Sequence, residues 1–216
     1  MLPQAVLFDM DGTLTDSEEL WFAAEEEVFA ALDRPWKRGD ETAIIGMSLT
    51  DSTRYLCQAL QLEISPAQLG TLLTDKVAEL GRRRGMPWRP GAQELLTLLV
   101  ELQIPSALVT SSFRSFADLT LANSPQGALT VCVTGDEGLA GKPDPEPYRC
   151  AAQRLGVDIS RCLIFEDSIP GLTAAHASGG RAVGVPLHVK LPQLPGVQLI
   201  SSLTQVDEEK LHQLMG

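Results

Sequence analysis

The sequence of 216 residues lacks the features that mark membrane, secreted and nucleic-acid-binding proteins. No segment approaches the roughly 18 consecutive apolar residues of a membrane-spanning helix. The first residues contain neither a basic region nor a long apolar stretch, so we expect no signal peptide and a cytoplasmic protein. The formal net charge of −11 removes any general attraction to nucleic acid or anionic membranes. We therefore expect neither as a partner.

Cysteines are also few, and none of the four forms a C-x-x-C pair, which disfavours a metal knuckle. Cys132 and Cys162 fall within apolar runs, where cysteine usually packs as a small core residue in a reducing compartment. The apolar fraction of 44% is close to the average for soluble proteins and supplies a packed core. The length predicts one large domain, or one domain that carries an insert.

Five short apolar runs predict buried β-strands, at residues 5–8, 106–109, 130–133, 162–165 and 182–185. Because such strands are apolar on both faces, they are typical of a parallel sheet covered on both sides. Helical patterns lie between most of them, at residues 92–102, 147–155 and 172–177. This alternation predicts an α/β fold with a doubly wound, Rossmann-like parallel sheet.

Residues 17–85 break the alternation, because they contain no convincing strand. Three stretches predict helices instead, at residues 21–32, 51–62 and 66–80. Glycine and proline punctuate residues 81–87, which indicates a linker back to the sheet, and its arginines are more typical of a solvated hinge than of a phosphate clamp. We therefore expect a core domain of residues 1–16 and 86–216, with a small all-helical cap, residues 17–85, inserted after the first strand.

Polar residues follow three of the predicted strands at the point where each strand ends. Asp9 follows the first strand, Thr110 the second, and Glu166 with Asp167 the fourth. Ligands of an open α/β sheet bind outside the carboxyl ends of its strands, so these side chains should converge on one cleft. Lys142, in the loop after the third strand, can reach the same edge.

Asp9 and Asp11 stand two residues apart, and Gly12 permits a tight turn beside them. The pair alone could be an ordinary aspartate-rich turn. With Glu166 and Asp167 in the same cleft, however, up to four carboxylates would repel one another unless a cation lay among them. Oxygen ligands of this kind favour Mg²⁺, which also binds substrate phosphate.

Lys142 and residues 110–112 can supply the groups that a phosphate needs. A P-loop requires Ser or Thr after its lysine, whereas Lys142 is followed by proline, so the P-loop pattern is not met. Beside the carboxylates, the lysine can balance charge and hold phosphate. The hydroxyls and N–H groups of Thr110, Ser111 and Ser112 lie at a predicted helix start, which can be an anion site or an ordinary N-cap.

Four segments resemble, in order, the four motifs of the haloacid dehalogenase superfamily. The run DMDGTLTDSE from Asp9 resembles the first motif, and Thr110 after an apolar strand resembles the second. Lys142 in GKPDP resembles the third, and EDSIPG from Glu166 resembles the fourth. The helical insert is similar to the small cap of the β-phosphoglucomutase-like subfamily.

The resemblance implies a Mg²⁺-dependent phosphohydrolase that forms an aspartyl-phosphate. Asp9 would be the nucleophile, and Asp11 would be the general acid and base. The ligands of Mg²⁺ would be Asp9, the Asp11 carbonyl, Asp167 and Glu166. The groups that bind the transferring phosphoryl would be Thr110, the Ser111 backbone and Lys142. The cap would close over the substrate.

Asp11 separates the chain from the superfamily's dehalogenases, which lack that aspartate and need no metal. The cap lysine of the phosphonate hydrolases is not found either. Sugar phosphomutases carry a cap histidine and a cap arginine, whose positions resemble Trp21 and Leu49 here. We therefore expect a monomeric phosphatase that acts on a small phosphorylated metabolite, such as a sugar- or polyol-phosphate. A phosphomutase and a non-catalytic binding module are the alternatives, and Trp21 is expected to stack on substrate or to pack within the cap.

Overall fold

Six parallel strands form the sheet at the centre of the molecule, which the computed structural model describes over residues 1–44 and 47–216. The strands are β1 (Ala5–Phe8), β2 (Ser106–Val109), β3 (Val131–Val133), β4 (Cys162–Glu166), β5 (Arg181–Gly184) and β6 (Gln198–Leu199). Their order across the sheet is β3-β2-β1-β4-β5-β6. The predicted doubly wound α/β sheet is confirmed.

The position of β1 in the middle of the sheet explains why the first apolar run has no polar residue. Leu7 pairs with Ala107 of β2 on one side and with Ile164 of β4 on the other. Side chains alternate between two hydrophobic clusters, so that Phe8 faces one and Leu7 the other. Because helices cover both faces, every residue of β1 is fully buried.

Five helices provide that cover. One face is covered by α4 (Ala92–Glu101), α5 (Arg114–Ala122) and α8 (Glu208–Met215). The opposite face is covered by α6 (Glu146–Leu155) and α7 (Ile169–Ser178). None of the described helices combines the length and the apolar character that crossing a bilayer requires.

Three further helices lie between β1 and α4, namely α1 (Glu18–Ala31), α2 (Leu49–Ala59) and α3 (Pro66–Arg84). They enclose a third hydrophobic cluster, which contains Phe22, Phe29, Trp36, Leu56, Leu69 and Leu73. Toward its C-terminal end, α3 also contributes Val77 and Leu80 to the core beside the sheet. We call α1, α2 and α3 the inserted helices.

Two glycines let α3 approach the core closely. A Cβ at Gly70 would crowd the ring of Phe113, and a Cβ at Gly81 would overlap the side chain of Leu119. Residues 81–84 form the last turn of α3, so the expectation of a linker there was wrong. The glycine at 81 serves helix packing, and the chain turns at Gly85, where φ is 87°.

Other boundaries differ from the predictions by small amounts or were missed. The third strand begins at Val131, and α5 begins at Arg114 with Phe113 as its N-cap, so residues 110–112 are not the cap of that helix. The edge strand β6 and the C-terminal helix α8 were not predicted. Both residues of β6 are exposed, so the strand carries no apolar pattern in the sequence.

We expect Phe165→Ala to lower the free energy of unfolding by about 3–5 kcal/mol, because the substitution leaves a cavity in the core. The Phe165 ring is fully buried and stacks on Phe8, with the centroids 5.4 Å apart. Urea unfolding followed by circular dichroism measures the loss. Val100→Ala, at a residue of α4 that is 37% exposed, should cost less than about 1 kcal/mol. Equal losses for the two variants would contradict this account of the core.

Candidate active site

The parallel sheet brings three chain-distant charged groups into contact at the carboxyl ends of its strands. Asp9 follows β1, Glu166 ends β4, and Lys142 precedes α6. The Lys142 Nζ lies 2.7 Å from Asp9 Oδ1, 2.6 Å from Glu166 Oε1 and 3.0 Å from the carbonyl oxygen of Val109. All three charged side chains are less than 10% exposed. The predicted convergence of strand ends is therefore present.

Asp9 offers one oxygen that protein donors do not use. Its Oδ2 is buried and has no hydrogen-bond partner among the described residues. Asp9, Glu166 and Asp167 each offer a carboxylate oxygen within 4.8 Å of the others. An unpartnered buried oxygen next to further carboxylates fits a divalent cation with oxygen ligands, such as Mg²⁺.

The electrostatics of the cluster point the same way. Burial raises the pKa of Asp9 from 3.8 to about 7, although Lys142 opposes the shift. Burial, followed by the charges of Asp9 and Glu166, raises the pKa of Asp167 to about 8. Burial alone would lower the pKa of Lys142, but Asp9 and Glu166 outweigh it and raise that pKa. One lysine thus leaves the carboxylates short of positive charge, and a cation would correct the deficit.

Glu166 contributes charge to this cluster while it holds Lys142 in place. Its Oε1 also accepts a hydrogen bond of 2.6 Å from the Tyr148 hydroxyl. Its Oε2 accepts hydrogen bonds from the Ser168 hydroxyl and from the backbone N–H groups of Asp167 and Ser168. A Cβ at Gly171 would overlap this carboxylate, so α7 packs its backbone directly against Glu166.

Gly12 sets the position of Asp167. Its φ is 87°, which side-chain-bearing residues rarely adopt, and a Cβ there would collide with the Asp167 carboxylate. The backbone of the loop after β1 therefore lies directly against the Asp167 carboxylate in the loop after β4. Both requirements explain the glycine that follows the second aspartate of the first motif.

Asp11 joins the inserted helices to the core. Its Oδ1 accepts hydrogen bonds from the Ser17 hydroxyl and from Trp21 Nε1, the latter at 3.2 Å. Its Oδ2 accepts from the Ser112 hydroxyl at 2.7 Å and lies 3.5 Å from the Thr110 hydroxyl. Ser17 was not predicted as a site residue, although it lies within the first motif. Ser112 was considered only as part of an anion site or an N-cap, and not as a partner of Asp11.

Trp21 has a role that neither predicted alternative included. Its ring lines the cavity and meets Phe116 edge-on at 5.7 Å, so it is partly packed. Its indole N–H, however, is committed to Asp11. The tryptophan therefore connects the first inserted helix to a predicted catalytic carboxylate.

Arg89 is a further residue that the sequence analysis missed. Its buried guanidinium donates hydrogen bonds to the carbonyl oxygens of Gly12, Val185 and Pro186. Burial lowers the pKa of Arg89, while the charges of Asp167 and Asp16 oppose that shift. A lone arginine before a proline gives no local signal in the sequence. In the fold it braces the loop after β1 against the loop after β5.

A cavity of about 310 Å³ lies between the sheet edge and the inserted helices. Thr110, Ser111 and Lys142 line it together with the carboxylates of Asp9, Asp11 and Asp167. At its rim, His188 Nε2 lies 3.2 Å from Asp16 and 3.0 Å from Glu18. Arg54 and Arg114 are surface residues that pair with Asp51 and Asp118 outside the cavity.

Known proteins share this architecture and sequence pattern. The model of the haloacid dehalogenase-like hydrolase family matches residues 3–179. A phosphorylated carbohydrates phosphatase of Thermotoga maritima is 30% identical over 177 residues, which cover 82% of each protein. A CbbY variant of Rhodobacter sphaeroides, solved with xylulose-(1,5)-bisphosphate, matches with a TM-score of 0.84 and 25% identity over 94% of this chain and 96% of that one. A β-phosphoglucomutase of Clostridium difficile has the same fold, with a TM-score of 0.80 and 18% identity over 99% and 97% of the two chains.

We expect Mg²⁺ to raise the melting temperature, and to raise it more at pH 8 than at pH 6. Without a cation, the pKa values of Asp9 and Asp167 in the folded state are about 7 and about 8, above the 3.8 of the unfolded chain. The free energy of unfolding therefore falls as the pH rises from about 3.8 through these two values, because ionising the buried carboxylates opposes folding. Mg²⁺ needs the ionised carboxylates, so protons compete with it at lower pH. Thermal melts across a MgCl₂ titration measure the effect.

Asp167→Asn should remove most of this Mg²⁺-dependent shift. Asp75→Asn changes an exposed aspartate of α3 in the same way and should preserve the shift. A shift of equal size at both pH values, or one that survives in Asp167→Asn, would argue against a cation at this cluster.

Proposed function

This chain belongs to the haloacid dehalogenase-like hydrolase family, as its four motifs predict, and on that premise we propose a Mg²⁺-dependent phosphatase for a small sugar- or polyol-phosphate. The family and the named phosphatase relatives make it a phosphoric monoester hydrolase. The observation that carries the proposal is the pair of environments of the two carboxylate oxygens of Asp9. Lys142 donates a hydrogen bond to one oxygen of Asp9, and the other oxygen is buried, with no hydrogen-bond partner in the described part of the chain, near Asp167.

In the proposed reaction, a carboxylate oxygen of Asp9 attacks phosphorus. The ester P–O bond breaks, an aspartyl-phosphate forms, and the leaving oxygen takes a proton from Asp11. Asp11 then accepts a proton from a water molecule that attacks the phosphoryl group. The bond between phosphorus and the Asp9 oxygen breaks in this second step, which releases inorganic phosphate and restores the Asp9 carboxylate.

Mg²⁺ would be held by Asp9, Asp167 and the backbone carbonyl of Asp11, with Glu166 beside them. When bound, it supplies positive charge that offsets the phosphate and the crowded carboxylates. Lys142 adds a fixed positive charge on the side of Asp9. Thr110 and Ser111, which line the same end of the cavity, would donate hydrogen bonds to the phosphoryl oxygens.

The hydrogen bonds of Asp11 favour one position for its proton. The indole N–H of Trp21 can only donate, so the oxygen that it faces, Oδ1, must act as an acceptor. The acidic proton is therefore best carried on Oδ2, next to the hydroxyls of Thr110 and Ser112. This arrangement would direct the proton to the phosphate end of the cavity.

Hydrolysis is better supported than phosphomutase chemistry, which must hold a second phosphate. The solved CbbY variant shows that this fold can hold a bisphosphate. A phosphomutase of this fold would therefore need a cationic group in the cavity that binds the second phosphate. Leu49, at the position that resembles the mutase arginine, lines the cavity with an uncharged side chain. Trp21, at the position of the mutase histidine, is committed to Asp11. We therefore favour transfer of the phosphoryl group to water.

We expect Asp9→Asn to lower phosphate release from sugar- and polyol-phosphates at least 1,000-fold, because an amide cannot act as the nucleophile. The measurement is a phosphate-release assay over a panel of phosphorylated metabolites with and without Mg²⁺. Asp75→Asn is the matched control and should behave as the unmodified enzyme. Release without Mg²⁺, or activity that persists in Asp9→Asn, would refute the proposed mechanism. A product that is an isomerised sugar phosphate with little free phosphate would indicate a mutase.

Trp21→Phe should lower kcat/KM for alkyl phosphates by about three- to tenfold, the loss expected for one hydrogen bond. Phenylalanine keeps the contact with Phe116 and removes only the N–H donor to Asp11. The loss should be smaller with p-nitrophenyl phosphate, whose weakly basic leaving group needs little protonation. An equal loss on both ester types would show that Trp21 shapes the cavity and does not position the acid.

A further inference from the structure

Two backbone segments flank Asp167, and the side chain of Arg89 binds both of them. The first is the loop after β1, where even a Cβ at Gly12 would collide with the Asp167 carboxylate. The second is the loop after β5, where the N–H of Val185 donates a hydrogen bond of 2.7 Å to the carbonyl oxygen of Glu166, the residue before Asp167. Arg89 Nη1 donates hydrogen bonds to the carbonyl oxygens of both Gly12 and Val185. The guanidinium therefore sets the spacing of the two segments beside the carboxylate.

The backbone of Arg89 is itself fixed. It lies in the segment that returns from the inserted helices, and its N–H donates a hydrogen bond of 2.8 Å to the carbonyl oxygen of Leu14, in the segment that leads to them. Thr15 and Trp88 form an antiparallel bridge between the same two segments. The side chain is buried, and its Nη2 also lies 3.3 Å from the carbonyl oxygen of Pro186. Because a guanidinium presents donors on two nitrogens in one rigid plane, a single side chain can bind acceptors from both loops.

Arg89 would affect a cation beside Asp167 in two ways that have opposite signs. Its positive charge would weaken the binding of a divalent cation, since like charges repel in a partly buried site. Its hydrogen bonds would strengthen binding, because Mg²⁺ demands near-ideal octahedral geometry and these bonds fix the backbone around one ligand in advance. Three carbonyl oxygens face the guanidinium and offset part of its charge, so we expect the hydrogen bonds to dominate.

We propose that Arg89 is a positioning residue for the cation site, which holds the Gly12 and Val185 backbones at the spacing that lets Asp167 bind Mg²⁺. The inference rests on the Mg²⁺ dependence in the proposed function, and it adds to that function a residue outside the four motifs. Arg89 is not among the described residues that line the cavity. It therefore acts on the affinity for Mg²⁺ through the backbone, without contact to the substrate.

Arg89→Met and Arg89→Lys test the proposal through the dissociation constant of Mg²⁺, obtained from melting temperatures across a MgCl₂ titration without substrate. Methionine removes the charge and every donor, and it should raise the constant by about ten- to hundredfold, as is typical when a group that orients a metal ligand is lost. Lysine keeps the charge, but its ammonium falls one bond short of the position of Nη1. We expect it to raise the constant by less than methionine does.

The same variants should keep their chemistry once the site is filled. At saturating Mg²⁺, kcat for phosphate release from p-nitrophenyl phosphate should lie within about threefold of the value for the unmodified enzyme, because Arg89 touches neither the nucleophile nor the acid. A loss that appears in the Mg²⁺ requirement and not in kcat distinguishes positioning of the cation from general damage to the active site.

Arg149→Met is the matched control. Arg149 also donates hydrogen bonds to two backbone carbonyl oxygens, those of Ala177 and Ser178, but its side chain is exposed. Both acceptors lie at the C-terminal end of α7, whereas the cavity meets the N-terminal end of that helix at Pro170. The variant should leave the dissociation constant of Mg²⁺ unchanged.

The outcomes separate this inference from the proposed function. A constant that is unchanged in both Arg89 variants, or that falls in Arg89→Met, would overturn the positioning role while the phosphatase stands, provided that circular dichroism shows the variants folded. If neither variant folds, nuclear magnetic resonance of the unmodified protein decides: the Arg89 side-chain N–H signals should shift when MgCl₂ is added, and unmoved signals would overturn the role. Melting temperatures and phosphate release that both ignore Mg²⁺ in the unmodified protein would overturn the proposed function and this inference with it.

Discussion

The ammonium group of Lys142 lies between the carboxylates of Asp9 and Glu166, and the rest of the site depends on that contact. It requires the carboxyl ends of β1 and β4 to be neighbours, which the strand order provides. It also requires the Glu166 carboxylate to stay in place, which the hydrogen bond from Tyr148 on α6 and the close backbone of α7 provide. The packing of α6 and α7 thus fixes the position of Asp9, the proposed nucleophile, through one buried lysine.

Much of this site could be predicted from the sequence, because strand ends are visible in it. The run at 5–8 matches β1 residue for residue, and the polar residues that follow three strands meet at one edge. Because the strands are parallel, their carboxyl ends lie at one edge, and this alone brings Asp9 and Lys142 together although they are 133 positions apart. The individual contacts of Glu166 could not be predicted, since they depend on side-chain directions within a packed core.

The missed features share a different physical cause. Arg89 and Trp21 donate side-chain hydrogen bonds to residues of other segments, and no periodic pattern in the sequence records such bonds. The short edge strand β6 is held by backbone pairing with β5, although its two side chains are exposed. The last turn of α3 was assigned to a linker because glycine usually ends helices, whereas Gly81 is needed there for close packing. Rules based on neighbouring residues failed at these positions, because contacts with distant parts of the chain determine the structure there.

The two glycines of α3 have a mechanical consequence. Residues 70 and 81 are eleven apart, close to three helical turns, so they lie on nearly the same face of the helix. At both points α3 meets the core through its bare backbone, against Phe113 and Leu119. Any side chain at residue 70 or 81 would push α3 away from Phe113 and Leu119, so the small size of these two residues sets how closely the inserted helices lie against the core beside the cavity.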